Sequence, residues 1–143
     1  MGNLMFAVAL LIFMFGRAAA EEQIGVCELL RSAKVLDGRI VTVTGLVKAD
    51  QHLKGLVENG CSGGVVMIYA VDRMPPEFVA AITDKRLRLD LRPLKVSVRG
   101  RFKSHVPGQL GYTSQIEVRQ ALSWEFIGEK SAAPPPMVTP EQH

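Results

Sequence analysis

Two short stretches of the sequence share one pattern, VTVTGLV at residues 41–47 and VSVRGRF at residues 96–102. In each stretch, alternating valines predict a strand with one buried face, and a glycine interrupts the run. Glycine inside a strand marks a bulge or a sharp bend. Small closed barrels need bent strands at their corners, so the two stretches predict a barrel creased at Gly45 and Gly100.

The composition favours one small domain. The chain has 143 residues, of which 48% are hydrophobic and 22% charged, and this balance argues against a disordered chain. The net charge of +3 is too small to indicate nucleic-acid binding by itself. Beyond the N-terminus there is no long apolar span, which excludes a polytopic membrane protein.

The first 20 residues are typical of an export signal. An apolar run, Leu4–Phe15, is followed by Gly16-Arg17, by Ala18–Ala20 and then by two acidic residues. As a helix this run spans about 18 Å, less than the roughly 30 Å core of a bilayer. We expect cleavage after Ala20 and a periplasmic or secreted location. An uncleaved anchor and a buried helix are the alternatives.

The exported chain contains two cysteines, Cys27 and Cys61. An even number of cysteines in an exported chain predicts one disulfide, and two free buried thiols are the alternative. Their long separation favours a structural role over a redox role. No metal site is expected, because zinc needs four ligands and neither C-x-x-C nor H-x-x-x-H occurs.

Residues 21–127 are expected to form a β-rich domain, and residues 128–143, with four prolines, a disordered tail. The predicted elements are a helix over Val26–Val35, strands over Arg39–Ala49, Leu53–Glu58 and Val65–Ala70, a helix starting at Met74–Glu77, and strands over Leu94–Ser104 and Thr113–Phe126.

Two details of these strands lead to further expectations. The wholly apolar third strand needs a cover on its outer side, and the disulfide makes the N-terminal helix a candidate. In the last strand, alternate positions predict one buried face, interrupted by Gln120. Its members are Ile116, Val118, Leu122, Trp124 and Phe126. The stretch around Leu87, Leu89 and Leu91 is ambiguous between a helix end and extended chain.

Three strands, a helix and two strands form the element order of the OB-fold, a five-stranded Greek-key barrel. The stretches DGRIVTVTGLV, LKVSVRGRF and IEVRQALSW, with the path from Leu56 to Cys61, resemble that superfamily and in particular small exported bacterial OB-like proteins. The expected fold is mainly β, with one short N-terminal helix and another between the third and fourth barrel strands. A small open β-sandwich is the rival.

The resemblance implies a ligand face on the second and third barrel strands, flanked by two loops. Those loops are residues 48–52 and 104–112, and they contain Lys48, His52, His105 and Tyr112. We predict that these four residues bind a ligand, with the histidines on either side of one cleft. Solvated loop histidines without a ligand are the alternative.

Eight basic residues lie within 19 positions: Lys85, Arg86, Arg88, Arg92, Lys95, Arg99, Arg101 and Lys103. Such a stripe can neutralise phosphates, but single-strand binding also needs aromatic platforms. The chain is only 6% aromatic, and Phe102, Trp124 and Phe126 fall on the predicted buried faces. We interpret the stripe as a solvated face, with Glu117 and Glu125 opposite its outward residues.

No residue pattern indicates catalysis or a cofactor. Ser62 is not in a G-x-S-x-G motif, and the glycine-rich turn around it opens no helix. The interpretation is therefore an exported, non-enzymatic binding module for an envelope protein, a glycan or a small anionic ligand. A small envelope hydrolase and a single-stranded nucleic-acid binder are the alternatives.

Overall fold

The computed structural model describes residues 22–50, 52–106 and 111–128. The predicted signal peptide, its cleavage site and residues 129–143 of the predicted tail lie outside these ranges. The strands are β1 (Gln23–Gly25), β2 (Ile40–Ala49), β3 (Lys54–Val57), β4 (Val65–Ile68), β5 (Leu94–Lys103) and β6 (Ser114–Phe126). The helices are α1 (Val26–Arg31), α2 (Ala33–Leu36), a 3-10 turn (Val71–Arg73), α3 (Pro76–Ile82) and α4 (Lys85–Arg88). In the described part of the chain, no helix has the length and apolar character needed to cross a membrane.

Five strands close into a barrel. The sheet order is β1-β2-β3-β4-β6-β5, and β2 also pairs with β5, which completes the ring. The β4–β6 pair is parallel, whereas β2–β3, β3–β4, β5–β6 and β2–β5 are antiparallel. With α3 and α4 between the third and fourth barrel strands, this is the OB-like Greek-key barrel that the sequence predicts.

The register defines the stagger of this barrel. From Lys48 on β2 the Cα partners run to Gly55, Val66, Gln115 and Lys103. Strand β5 also pairs with β2, with Arg101 opposite Ile40. The same register puts Lys103 opposite Gly38, which is ten residues before Lys48, where the path began. A shift of this kind tilts the strands and allows five of them to surround a packed core.

Buried aliphatic side chains and one phenylalanine fill the barrel. Fully buried members include Val43, Leu56, Val65, Leu94, Val96, Val98, Phe102 and Ile116. Each contributes about 1.5–3 kcal/mol relative to exposure. The buried apolar positions alternate with more polar ones along β2 and β5, as the V-x-V-x-G pattern predicts, but Thr42 and Ser97 between them are also buried.

The two patterned stretches lie side by side. In the antiparallel β2–β5 pair, Gly45 is opposite Val96 and Gly100 is opposite Val41. A Cβ atom at Gly100 would collide with the carbonyl oxygen of Glu117 on β6. Gly100 is therefore required because the β6 backbone lies directly against it, next to an irregularity in the β5–β6 register.

The structure of β6 differs from the predicted buried face at one position, Leu122. Its register with β5 shifts twice, so that Arg119 and Leu122 have no direct partner. Between the two bulges Ala121 is opposite Val98, and Leu122 is 43% exposed, so its predicted burial is wrong. The second bulge restores the original alternation, and Trp124 again packs against the core.

The N-terminal segment contains more than the predicted helix. Strand β1 pairs in parallel with Thr42–Thr44 of β2, beside the part of β2 that β3 does not reach. Two short helices, α1 and α2, replace the single predicted helix over Val26–Val35, with a break at Ser32. Val26 and Leu29 of α1 are fully buried, and α1 contacts β1, β2 and β3.

The predicted disulfide between Cys27 and Cys61 is present and joins α1 to the turn after β3, with its Cα atoms 5.7 Å apart. It fixes the N-terminal segment to the barrel, which is compatible with an oxidising compartment.

Helices α3 and α4 lie between β4 and β5 in the chain, and they contact β6 and β2 respectively. Helix α3 has Pro76 in its first turn and buries Phe78, Ala81 and Ile82. The ambiguous leucine stretch is a helix end, because Leu87 is buried in α4 while Leu89 and Leu91 are more than half exposed.

Candidate ligand-binding face

One row of outward positions crosses all five barrel strands. It consists of Lys48, Gly55, Val66, Gln115 and Lys103, each the Cα partner of the next. Both lysines are exposed, and Gln115 is half-buried. The centre of the row lies on β3 and β4, the surface on which the fold resemblance expects a ligand.

Tyr112 lies across the centre of this row. A Cβ atom at Gly55 would be 2.5 Å from Tyr112 Oη, and one at Gly64 would be 2.8 Å from Tyr112 Cε1. The ring can lie this close because both residues beneath it are glycines. Because Gly55 is the partner of Val66, Tyr112 lies on the outer side of the β3–β4 pair, and α1, the candidate cover, contacts β3 of the same pair. We call the surface formed by Tyr112, the two glycines, Lys48 and Gln115 the Tyr112 face. The row continues around the closed barrel, so Lys103 on β5 is not part of this face.

The loop between β2 and β3 is organised by Asp50. Its Oδ1 accepts hydrogen bonds from the backbone N–H groups of His52 and Leu53, both at 2.7 Å. These two bonds hold the pKa of the Asp50 carboxyl below its usual value. The Asp50 charge is also close enough to raise the pKa of Tyr112. The loop thus stands beside the Tyr112 face, with the His52 side chain exposed.

His105 is held by a different set of partners. Its Nδ1 is 2.9 Å from Ser104 Oγ, and the backbone N–H of Ser104 donates to Asp37 Oδ1 at 2.8 Å. Hydrogen bonds from Ser104 keep the pKa of Asp37 low, and nearby His105 and Lys103 lower it further. No hydrogen bond between the described residues joins His52 to His105, and the cleft between them stays a prediction.

The Asp37–Ser104–His105 group was not recognised in the sequence, because Asp37 is 67 positions from Ser104. Its order differs from that of a Ser-His-Asp triad, in which the carboxylate orients the imidazole. Here the carboxylate binds the serine, which is buried and whose carbonyl accepts a 3.1 Å bond from Ser114 Oγ. The group ties the end of β5 to the turn before β2.

Three side chains with metal-ligating atoms cluster at the disulfide: Cys27, Glu58 and Cys61. Both sulfur atoms are used by the disulfide, and Glu58 Oε2 accepts a 2.7 Å bond from the backbone N–H of Cys27. Glu58 satisfies a donor in the first turn of α1, so these contacts have a structural purpose.

The basic stripe does not form one continuous surface. Arg86 binds Asp84 and lies over the Phe126 ring at 4.1 Å, and Arg101 Nη1 donates to the carbonyl of Gly38 at 2.7 Å. Glu117 is opposite Arg101, as expected, whereas Glu125 is opposite Lys95. The interspersed contacts and carboxylates favour the interpretation of a solvated, structurally engaged set of charges.

The phenol of Tyr112 gives a pH-dependent test of this geometry. Burial raises the pKa of Tyr112, the Asp50 charge raises it further, and burial alone raises the pKa of Tyr69. Because an unfolded tyrosine titrates near pH 10, the stability from these shifts is complete below about pH 10. That stability is lost as the pH rises through the higher folded values.

Asp50→Asn keeps the oxygen that accepts the two loop hydrogen bonds but removes the charge. We expect one of the two phenols to titrate at a lower pH in this variant, as measured by the ultraviolet absorbance of the phenolate. Tyr112→Phe identifies which phenol moves. An unchanged titration curve in Asp50→Asn would contradict the placement of Asp50 beside Tyr112.

Solved structures with a similar arrangement were found at low similarity. Asparaginyl-tRNA synthetase from Pyrococcus horikoshii, complexed with asparaginyl-adenylate, matches 65% of this chain and 20% of its own at 17% identity and a TM-score of 0.43. OBody AM3L15, bound to hen egg-white lysozyme, matches 70% of this chain and 86% of its own at 13% identity and a TM-score of 0.41. The synthetase from Entamoeba histolytica matches 78% of this chain and 25% of its own at 22% identity and a TM-score of 0.35.

At these scores the likenesses add nothing about function, and the fold assignment rests on strand order and register. This chain spans only a small part of the synthetases that it resembles. No protein-family model and no curated protein matches the sequence.

Proposed function

We propose that this protein is an exported, non-enzymatic binding module that holds an anionic ligand on the Tyr112 face. The observation that carries the proposal is the position of the Tyr112 ring over Gly55 and Gly64, with Lys48 as the register partner of Gly55 and Gln115 as that of Val66, the next residue of the row. The disulfide and the signal-like N-terminus support export.

The chemistry of the surface supports an anion. Lys48 is an exposed ammonium group on a strand, so its backbone position is fixed. Gln115 offers an amide donor, and the half-buried Tyr112 offers a flat apolar ring with a hydroxyl. Carboxylate, sulfate or phosphate groups carried on a sugar scaffold match this combination of charge, amide and ring.

A single-stranded nucleic acid is less well supported. Base stacking uses several aromatic platforms, whereas Phe102 is in the core and Trp124 and Phe126 line a separate groove beside α3. Tyr112 alone does not supply the repeated stacking that such a ligand uses.

The test is titration with two defined probes, a heparin hexasaccharide and an oligogalacturonate of the same length, followed by amide NMR at low salt. We expect the shifts to cluster at Gly55, Gly64, Tyr112 and Gln115. Lys48→Ala should weaken binding by about fivefold, since an exposed charge contributes up to about 1 kcal/mol. Added salt should weaken it further.

Lys34→Ala is the matched control, because Lys34 is an exposed lysine on α2, away from the row. It should leave the affinity unchanged. If neither probe binds, or if Lys34→Ala weakens binding as much as Lys48→Ala does, the proposal is wrong.

A further inference from the structure

One edge of the last strand, β6, has no strand partner for more than half of its length. Strand β6 pairs with β4 only as far as Glu117, whereas its pairing with β5 continues to Phe126. In the described ranges, no other strand continues the β4 side beyond Glu117. An unpaired edge presents a row of backbone N–H and C=O groups that an extended chain can join.

The bulges limit which part of this edge is usable. Arg119 and Leu122 each interrupt the β5–β6 register, and bulges disturb the regular spacing of edge groups. After Leu122 the pairing is regular again from Ser123 to Phe126. The usable edge is therefore Ser123–Phe126.

A groove of about 540 Å³ runs between this edge and helices α3 and α4. We call it the edge groove, and its main lining residues are Glu77, Asp84, Arg86, Trp124, Glu125 and Phe126. Trp124 is half-buried and contacts Phe78 of α3 edge to face, with ring centroids 5.5 Å apart. The groove is of the size of sites that bind small ligands and peptide side chains.

The charge of the groove is opposite to that of the chain. Three carboxylates line it against one guanidinium, although the whole protein carries +3. Asp84 and Arg86 bind each other, and the Arg86 guanidinium lies over Phe126. Glu77 and Glu125 are exposed, with Lys95 opposite Glu125 on β5. A cationic side chain is therefore favoured between the two glutamates and beside an indole ring.

We propose that the edge groove binds an extended cationic peptide, which adds to β6 as a short strand along Ser123–Phe126. The backbone of the peptide pairs with the open edge, and a lysine or arginine enters between Glu77 and Glu125 against Trp124. Strand addition supplies affinity through main-chain bonds, and the groove supplies selection for the side chain. This site is separate from the Tyr112 face and takes a ligand of opposite charge.

Trp124 is the single tryptophan of the chain, so its fluorescence reports on the groove directly. The probe is a heptapeptide of alternating valine and lysine with blocked ends. We expect a saturable change in Trp124 fluorescence and slower amide exchange within Ser123–Phe126. Glu77→Gln and Glu125→Gln should each weaken binding by about fivefold. Glu117→Gln, on β6 but outside the groove, should not change it.

Three further ligands test whether both strand pairing and positive charge are needed for binding. A peptide in which alternate amides are N-methylated keeps its charge but loses strand pairing, and it should bind at least tenfold more weakly. A glutamate version should not bind. The proposal is overturned if the N-methylated peptide binds equally well, if spermidine produces the same fluorescence change and protection as the peptide, or if the peptide leaves Trp124 unaffected.

Discussion

Gly100→Ala is expected to destabilise the protein by about 3 kcal/mol, at the upper end of the cost of overpacking a core. The added methyl group would collide with the Glu117 carbonyl and approach the backbone at Val118. Both obstacles are backbone atoms of β6, so no side-chain rotation relieves the contact. Relief requires β5 and β6 to separate next to the register shift at Arg99/Gly100. Urea unfolding followed by far-ultraviolet circular dichroism measures the change in the free energy of unfolding.

Gly45→Ala tests the same kind of substitution at a position with a less rigid obstacle. Its methyl group would lie 2.7 Å from Val26 Cγ2 and 3.1 Å from the Val57 carbonyl oxygen. Because the closer obstacle is a side-chain methyl group, we expect a smaller loss than at Gly100. Lys103→Ala, at an exposed position of β5, should change stability by no more than about 0.5 kcal/mol. A loss below about 1 kcal/mol for Gly100→Ala would contradict the close approach of β6.

Removing the disulfide with Cys27→Ala and Cys61→Ala together should cost about 4 kcal/mol on the chain-entropy model, for a sequence separation of 34. Small domains have total stabilities of only about 5–15 kcal/mol, so the double variant should be close to the limit of folding. The denaturant slope should rise, because the unfolded chain loses its cross-link and exposes more surface.

The loss should be largest locally in the N-terminal segment. Strand β1 has three residues and α1 has six, so they depend on the disulfide and on the buried Val26 and Leu29. Amide exchange within α1 should accelerate more than exchange within β5. Dithiothreitol treatment of the unaltered protein provides the control, since it should produce the same loss. Equal stability with and without the bond would show that packing alone holds this segment.

The barrel was predictable because its decisive signals are local. Alternation over residues 41–47 and 96–102 gives both buried faces, and the glycines mark the two close approaches. The order of the strands and helices along the chain then leaves few ways to close five strands into a barrel. The disulfide was predicted from the number of cysteines and the predicted compartment, without any knowledge of the fold.

Features that depend on strand register were not predictable. The bulges at Arg119 and Leu122 arise from how β6 meets β5, and nothing in the local sequence distinguishes Leu122 from a buried leucine. Trp124 was still assigned to the core because two extra residues restore the alternation. Strand β1 is too short for a periodicity signal, and it exists only because part of β2 is left uncovered by β3.

The candidate site was predictable to the level of loops. Both Lys48 and Tyr112 were predicted from the sequence. Gly55 lies between them, because it is the Cα partner of Lys48 and lies beneath the Tyr112 ring. Lys48, however, lies in β2 and not in a loop. Gln115 was missed as a ligand-binding candidate because its alignment with Lys48 requires the register of three strand pairs. The edge groove was missed because it joins α3 to a strand edge that only the fold leaves open.

The two bulges of β6 also have a consequence for comparing this chain with others. Deleting Arg119 or Leu122 would leave every remaining residue of β6 opposite its present partner on β5, whereas deleting Trp124 would place Ser123 or Glu125 opposite Val96, in the position of a core side chain. Single-residue gaps in an alignment of homologous last strands should therefore fall at these two positions or directly beside them.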